Sequence, residues 1–189
     1  MPIEKINEWL EIEKNLGSTN PDRIVLATAS AAGKVHSRIV AIREITEAGV
    51  LFFTQQATRK VADLTENPSA SMTLWLPLQQ REVILDGIVK ILTPDENSFY
   101  WDTLSYERQV KFTLHRSGKQ ISSLLELESK YKDFLSNYRN KKIPVSDAYC
   151  GYRLCPDTIY FYTLGIETFS EVIKYSHTGE NWESALVSP

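Results

Sequence analysis

Apolar residues near the start of the chain recur at helical spacing, at Ile3, Ile6, Trp9, Leu10 and Ile12. That period predicts an amphipathic helix over residues 1–16, ending at Gly17 ahead of the polar loop Ser18, Thr19, Asn20, Pro21 and Asp22. The pattern then changes. Residues 23–30 (RIVLATAS), 35–44 (VHSRIVAIRE) and 50–54 (VLFFT) are short runs rich in β-branched and aromatic residues, separated by turn residues at Ala32, Gly33, Lys34 and at Glu47, Ala48, Gly49. Turns this short favour antiparallel hairpins. Thr58 can cap a short helix carrying Val61, Ala62 and Leu64, which Asn67 and Pro68 stop. Strands are predicted again over 70–76 and 82–92. A capping box at Thr93 and Glu96 opens a helical insertion over 93–140, and a second box at Ser123 and Glu126 restarts the helix within it. Strands return over 150–189, at 151–154, 158–163, 168–175 and 182–187.

No repeat, low-complexity tract or linker interrupts this order, so residues 1–189 read as a single domain. Many short strands with a few helices predict a mainly β protein of the α+β class, a barrel with peripheral helices.

Composition narrows the function classes. The net charge is −3, too little and of the wrong sign to draw in nucleic acid or an anionic membrane. No apolar run approaches the roughly 20 residues of a transmembrane helix, and the first residues do not resemble a signal peptide, so a cytoplasmic protein is expected. Three histidines, His36, His115 and His177, and two cysteines, Cys150 and Cys155, lack the spacing of a zinc site, and no metal is expected. Cys150 and Cys155 are an odd number of residues apart in a strand-like stretch, which sends their side chains to opposite faces and reads as two free, structural thiols.

The most informative chemistry lies between Ser37 and Lys60. Arg38 and Arg43 flank the apolar run Ile39, Val40, Ala41, Ile42. Arg59 and Lys60 open the helix after Thr54 and Thr58, adding two cations to the positive end of a helix dipole. From the residues alone the pair is either a phosphate cradle or a solvated helix face. Aromatic residues crowd at Phe99, Tyr100, Trp101 and Tyr106 and again at Tyr160, Phe161 and Tyr162; they could flank a planar ring or simply fill a core or interface. There is no Gly-rich phosphate loop, nucleophile elbow or His-centred triad.

The order of these landmarks resembles the pyridoxamine 5′-phosphate oxidase family of flavoproteins across nearly the whole chain. The resemblance rests on Val25-Leu26-Ala27-Thr28, Ser37-Arg38-Ile39-Val40, Phe52-Phe53-Thr54, Thr58-Arg59-Lys60, Glu66-Asn67-Pro68, Arg81-Glu82-Val83 with Gly87, Leu127-Glu128-Ser129-Lys130, Pro144, Gly151-Tyr152-Arg153-Leu154 and a Trp182, Leu186, Pro189 ending. It implies an FMN-binding split β-barrel and a homodimer with FMN at the subunit interface. It further implies that Arg38, Ile39, Val40 and Arg43 line the cofactor, that Phe53 and Thr54 touch it, and that Arg59 and Lys60 bind its phosphate. Glu82 stands where the family usually has Gln beside the flavin ring, Arg116 and Ser117 fall near a further FMN contact, and Tyr162 stands where Trp is usual.

On the substrate side the resemblance breaks. Thr168 and Ser170 replace the Arg-x-His element that grips the pyridoxal substrate, and Val172 stands where a later Arg is expected. Tyr100 is kept, but Leu104 replaces an Arg, Arg108 sits at a Ser position, and Ala185 stands for the last Arg. Each charged hydrogen bond contributes roughly 1.5–3 kcal/mol, so losing several disfavours a phosphorylated substrate. The expectation is an FMN-dependent oxidoreductase acting on a different small molecule, with Tyr100, Arg108, Thr168 and Ser170 on the substrate side and no catalytic residue named. An active pyridoxamine/pyridoxine 5′-phosphate oxidase and a non-catalytic flavin or haem carrier stand as alternatives.

Overall fold

The structure, a computed structural model, describes residues 1–114, 120–138, 141–165 and 167–189. Among them the elements run α1 (Pro2–Asn15), β1 (Arg23–Ala29), β2 (Val35–Thr46), β3 (Gly49–Gln55), α2 (Arg59–Glu66), β4 (Ser69–Leu76) and β5 (Arg81–Ile91). Then follow α3 (Pro94–Asp102), α4 (Tyr106–Leu114), α5 (Leu124–Asn137), β6 (Tyr149–Thr163), β7 (Glu171–Thr178) and β8 (Asn181–Val187). The chain falls into two compact units: Met1–Phe52, Asp63–Lys90 and Arg153–Pro189 make one, and Phe53–Ala62 with Ile91–Tyr152 make the other.

The strands form one sheet of order β3-β2-β1-β4-β5-β6-β7-β8, in which β3 also pairs with β6; most of it lies in the first unit, and the end of β3 and the start of β6 belong to the second. That extra pairing closes β3, β2, β1, β4, β5 and β6 into a ring and leaves β7 and β8 outside it. β1 runs antiparallel to β2 and β4, as β4 does to β5 and β7 to both β6 and β8. Alternate residues line the interior: Ile24 and Leu26, Phe52, Met72, Leu74 and Leu76, and Val83 and Leu85 are all buried. Removing each such side chain from water contributes about 1.5–3 kcal/mol. The α1 period is used in its first half, burying Ile3, Ile6 and Trp9, with Trp9 edge-on to Phe161 at 5.0 Å; Ile12, expected on that stripe, is exposed, and Glu13 is buried instead, its carboxylate accepting from Leu78 N and Gln79 Nε2. Gly87 lets β5 approach β6, because a Cβ there would sit 2.2 Å from the Cys155 carbonyl oxygen.

The second unit has its own core of Trp101, Val110, Ile143 and Tyr149, and the indole of Trp101 donates to the Ile143 carbonyl at 3.0 Å. The capping box predicted at Thr93 and Glu96 forms in full, with Thr93 Oγ1 accepting from Glu96 N and Glu96 Oε2 from Thr93 N; the one predicted at Ser123 forms by half, since Ser123 Oγ accepts from Glu126 N while the Glu126 carboxylate takes Ser122 and Lys130 instead.

Three expectations are corrected. The strands expected at 151–154 and 158–163 are one, because Pro156 loses a donor but keeps a backbone angle that extended chain accepts. The aromatic helical stretch is two helices, since α3 ends at Thr103, whose N–H turns back to Tyr100 O. On α2 it is Asp63, not Ala62, that joins Val61 and Leu64 on the buried side. The two cysteines are free thiols, Cys150 buried and Cys155 half-buried. No described helix is long and apolar enough to cross a membrane.

Candidate functional site

Register places a polar cluster in the first unit. Thr28 pairs across the β1–β2 ladder with His36, and Leu26 pairs with Arg38, so Thr28, His36 and Arg38 share the inward face. Asp63 of α2 meets them there. Arg38 Nη1 donates to Thr28 Oγ1 at 2.8 Å and to the Leu26 carbonyl at 3.2 Å. The Thr28 hydroxyl donates to Asp63 Oδ2 at 2.7 Å, His36 Nδ1 lies 3.1 Å from that same oxygen, and Arg38 Nη2 lies 3.8 Å from it. Burial alone would raise the Asp63 pKa, but the Thr28 and His36 hydrogen bonds and the His36 and Arg38 charges outweigh it and hold the carboxyl below its usual range.

A carboxylate with a depressed native pKa contributes stability that is complete above its unfolded pKa and is lost as pH falls through the native one. Replacing Asp63 by Asn should therefore destabilise the fold at neutral pH by about 2–3 kcal/mol, the worth of charged hydrogen bonds. In urea melts the gap to the wild type should narrow once the pH drops below the carboxylate range. A gap unchanged by acid would disprove the linkage.

The second unit supplies a cation at a helix start. Lys60 Nζ donates to Thr54 Oγ1 at 2.9 Å and to Thr58 Oγ1 at 3.3 Å, while the Thr58 hydroxyl donates to the Gln55 carbonyl at 2.9 Å. Thr54 is buried, Lys60 half-buried and Arg59 exposed. A half-buried ammonium held by two hydroxyls at the start of a helix is chemistry that suits a phosphate. Cys150 adds no nucleophile: burial pushes its thiol up to about 12, and burial together with Cys150 pushes the Tyr152 phenol up to about 12.

The remaining sequence-predicted residues are placed as follows. Ile39 and Arg43 are exposed, on the opposite side of β2 from Arg38 and Val40, and β2 carries an irregularity between Ile42 and Glu44. Phe53 stacks on Tyr149 at 4.9 Å and meets Tyr100 at 5.4 Å; of the first aromatic crowd Trp101 is core with Tyr106 packed against it, Tyr100 is half-buried and Phe99 is exposed. Glu82 is half-buried opposite Trp75, and Tyr162 is half-buried opposite Val172. Arg108 is exposed on α4. Thr168 is exposed, and Ser170 Oγ accepts from Gly165 N at 3.4 Å in the turn before β7. Arg116 and Ser117 lie outside the described residues. Thr28 enters the sequence reading only as the end of the Val25-Leu26-Ala27-Thr28 landmark, with no role attached, and Asp63 does not enter it; the available signal for Asp63 was a carboxylate set beside Val61 and Leu64 on α2.

A closed ring of six antiparallel strands with an appended hairpin and peripheral helices is the split β-barrel class. The sequence signature described as Pyridoxamine 5′-phosphate oxidase matches residues 4–132. A pyridoxine/pyridoxamine 5′-phosphate oxidase of Vibrio cholerae serotype O1 is 29% identical over 189 residues, covering 100% of this chain and 89% of the relative. One from Coxiella burnetii is 28% identical over 188 residues, covering 100% and 95%. Among solved structures, PhzG from Burkholderia lata 383, in complex with tetrahydrophenazine-1-carboxylic acid, matches with a TM-score of 0.91 at 24% identity, covering 100% of this chain and 92% of that one. A pyridoxamine 5′-phosphate oxidase-related, FMN binding protein from Nostoc punctiforme matches with a TM-score of 0.80 at 16% identity, covering 98% and 96%. The chain belongs to the pyridoxamine 5′-phosphate oxidase family.

Proposed function

We propose that this protein is an FMN-dependent oxidoreductase whose substrate is not pyridoxine or pyridoxamine 5′-phosphate. The observation that carries the cofactor half of this reading is the Lys60 ammonium, locked by Thr54 and Thr58 at the start of α2. There it would hold the FMN phosphate, with Arg59 as the second cation. Arg38, Ile39, Val40 and Arg43 would line the cofactor and Phe53 and Thr54 would touch it, as family membership implies. Glu82 and Tyr162 would flank the ring, and Arg116 and Ser117 would add a contact. When bound, FMN supplies the hydride acceptor, so the protein's own task is to bind and orient. That fits a sequence in which no His-centred triad stands out. We place FMN at the interface of a homodimer; the exposed apolar side chains of Val35 and Ile39 on β2 suit burial by a second copy. Two free thiols suit a reducing compartment, the cytoplasm.

The substrate half rests on Thr168 and Ser170, neither of which carries charge, with Tyr100 and Arg108 completing that side. Arg108 supplies one cation where the family's substrate uses several. Because a barrel of this fold accommodates tetrahydrophenazine-1-carboxylic acid, reduced polycyclic carboxylic acids belong in the substrate panel beside the B6 phosphates. Purified protein loaded with FMN should show a flavin spectrum and be reduced by a member of that panel faster than by either B6 phosphate. Turnover of the B6 phosphates at enzymatic rates would defeat the substrate reading. Retained flavin that no donor reduces would leave a carrier instead, and no flavin uptake would remove the function altogether.

A further inference from the structure

We propose that the free edge of β8 is an interface at which a second copy of this chain adds, strand against strand and antiparallel, with Ser184 facing its own counterpart. Neither FMN nor the β2 side chains Val35 and Ile39 take part. With β3 joined to β6, the strand order ends at β8, and no strand among the described residues pairs with its other edge. Hairpin geometry decides which backbone groups lie on that edge. Only Gly179 and Glu180 separate Thr178 from Asn181, which pair across the β7–β8 ladder. Residues that close can be joined only through their own N–H and C=O groups. Hydrogen-bonded and non-hydrogen-bonded pairs then alternate along the ladder. Asn181, Glu183, Ala185 and Val187 thus turn their backbone groups to β7. Trp182, Ser184 and Leu186 turn theirs outward, to the unpaired edge.

Proteins guard open edges with lysine, proline, bulges or very short strands. β8 has none of these. It runs seven residues, Asn181–Val187, without Lys, Arg or Pro, and in unbroken register with β7. The side chains identify the occupant as the same strand. In a two-fold antiparallel pairing centred on Ser184, Trp182 lies opposite Leu186, Glu183 opposite Ala185 and Asn181 opposite Val187. Of the outward residues, only Ser184 as centre engages all three. The strand's one charge never meets its like across this pairing, and the Thr178 hydroxyl of its own hairpin donates to Glu183 Oε1 at 3.3 Å. Leu186, 74% exposed, gains the half-buried indole of Trp182 as its partner. Such aromatic–aliphatic cross-strand pairs are what stabilise sheets. Each copy offers one such edge, so the pairing is isologous and stops at two. Two seven-residue strands make an interface at the small end of the size range, and the association is reversible.

The test reads mass in solution. The full chain, Ser184→Glu and Ser184→Lys are run by size-exclusion chromatography with light scattering at roughly 100 μM, each alone and the two variants as an equal mixture. Ser184 is exposed, so neither replacement enters a packed core. Each variant alone sets like charges face to face on the two-fold axis, which destabilises a cross-strand pair, and each should run at half the wild-type mass. Mixing should restore the wild-type mass, because the new carboxylate then faces the new ammonium. If the FMN-linked dimer forms as well, the step is from tetramer to dimer; without that dimer it is from dimer to monomer, so the two interfaces succeed or fail separately. Variants that keep the wild-type mass, or a mixture that stays at the mass of its parts, would each overturn the inference.

Discussion

Replacing Lys60 by Met should leave the purified protein without flavin. Methionine keeps most of the unbranched apolar stem but removes the ammonium, so two things are lost together. The phosphate loses its best-placed cation, and Thr54 and Thr58 lose the donor that satisfies their hydroxyl oxygens. Charged hydrogen bonds contribute roughly 1.5–3 kcal/mol each, so the loss of one or two weakens FMN by about a hundredfold. Riboflavin affinity should hardly move, because the lost contacts are to the phosphate. Fluorescence titration of the variant with the two flavins reads this directly. Unchanged FMN affinity in Lys60→Met would leave the helix start as ordinary surface.

The second large effect is a gain. Thr168→Arg with Ser170→His restores the side chains that the family uses to grip a pyridoxal substrate. Thr168 is exposed and Ser170 half-buried in the turn before β7, so neither replacement disturbs a packed core. Two restored charge-assisted contacts should raise kcat/KM for pyridoxine 5′-phosphate by about 10- to 100-fold. The rise should appear chiefly in KM if the pair only binds, and in kcat as well if it orients the reacting carbon. Steady-state oxidation by the FMN-loaded double variant decides the matter. A double variant as inert as the parent would show that the missing grip is not what sets the substrate.

Much of the architecture was legible from local patterns. The α1 stripe, the turns at Gly33 and Gly49 and the caps at Thr93 and Ser123 are each decided by residues a few positions apart, so the sequence displays them. The continuity of β6 through Pro156 is not of that kind, because it depends on pairing with distant strands. The cation at Lys60 was legible as a candidate, since helix-start chemistry is local. What held it, the buried hydroxyl of Thr54 six residues away, was only half visible. The Thr28, His36, Arg38 and Asp63 cluster was invisible for a plainer reason: His36 and Thr28 face each other only once the β1–β2 register is known. Asp63 joins them from a helix 35 residues further on than Thr28.

The pairing of β3 with β6 has a consequence for how such a protein can change. A ring that is already sealed does not need the β7–β8 hairpin to finish it, and most of β8 is exposed. The turn carrying Thr168 and Ser170 belongs to that appendage. Substitutions there carry little risk to folding, so under the substrate reading proposed above this turn is where specificity can change while the scaffold beneath stays whole.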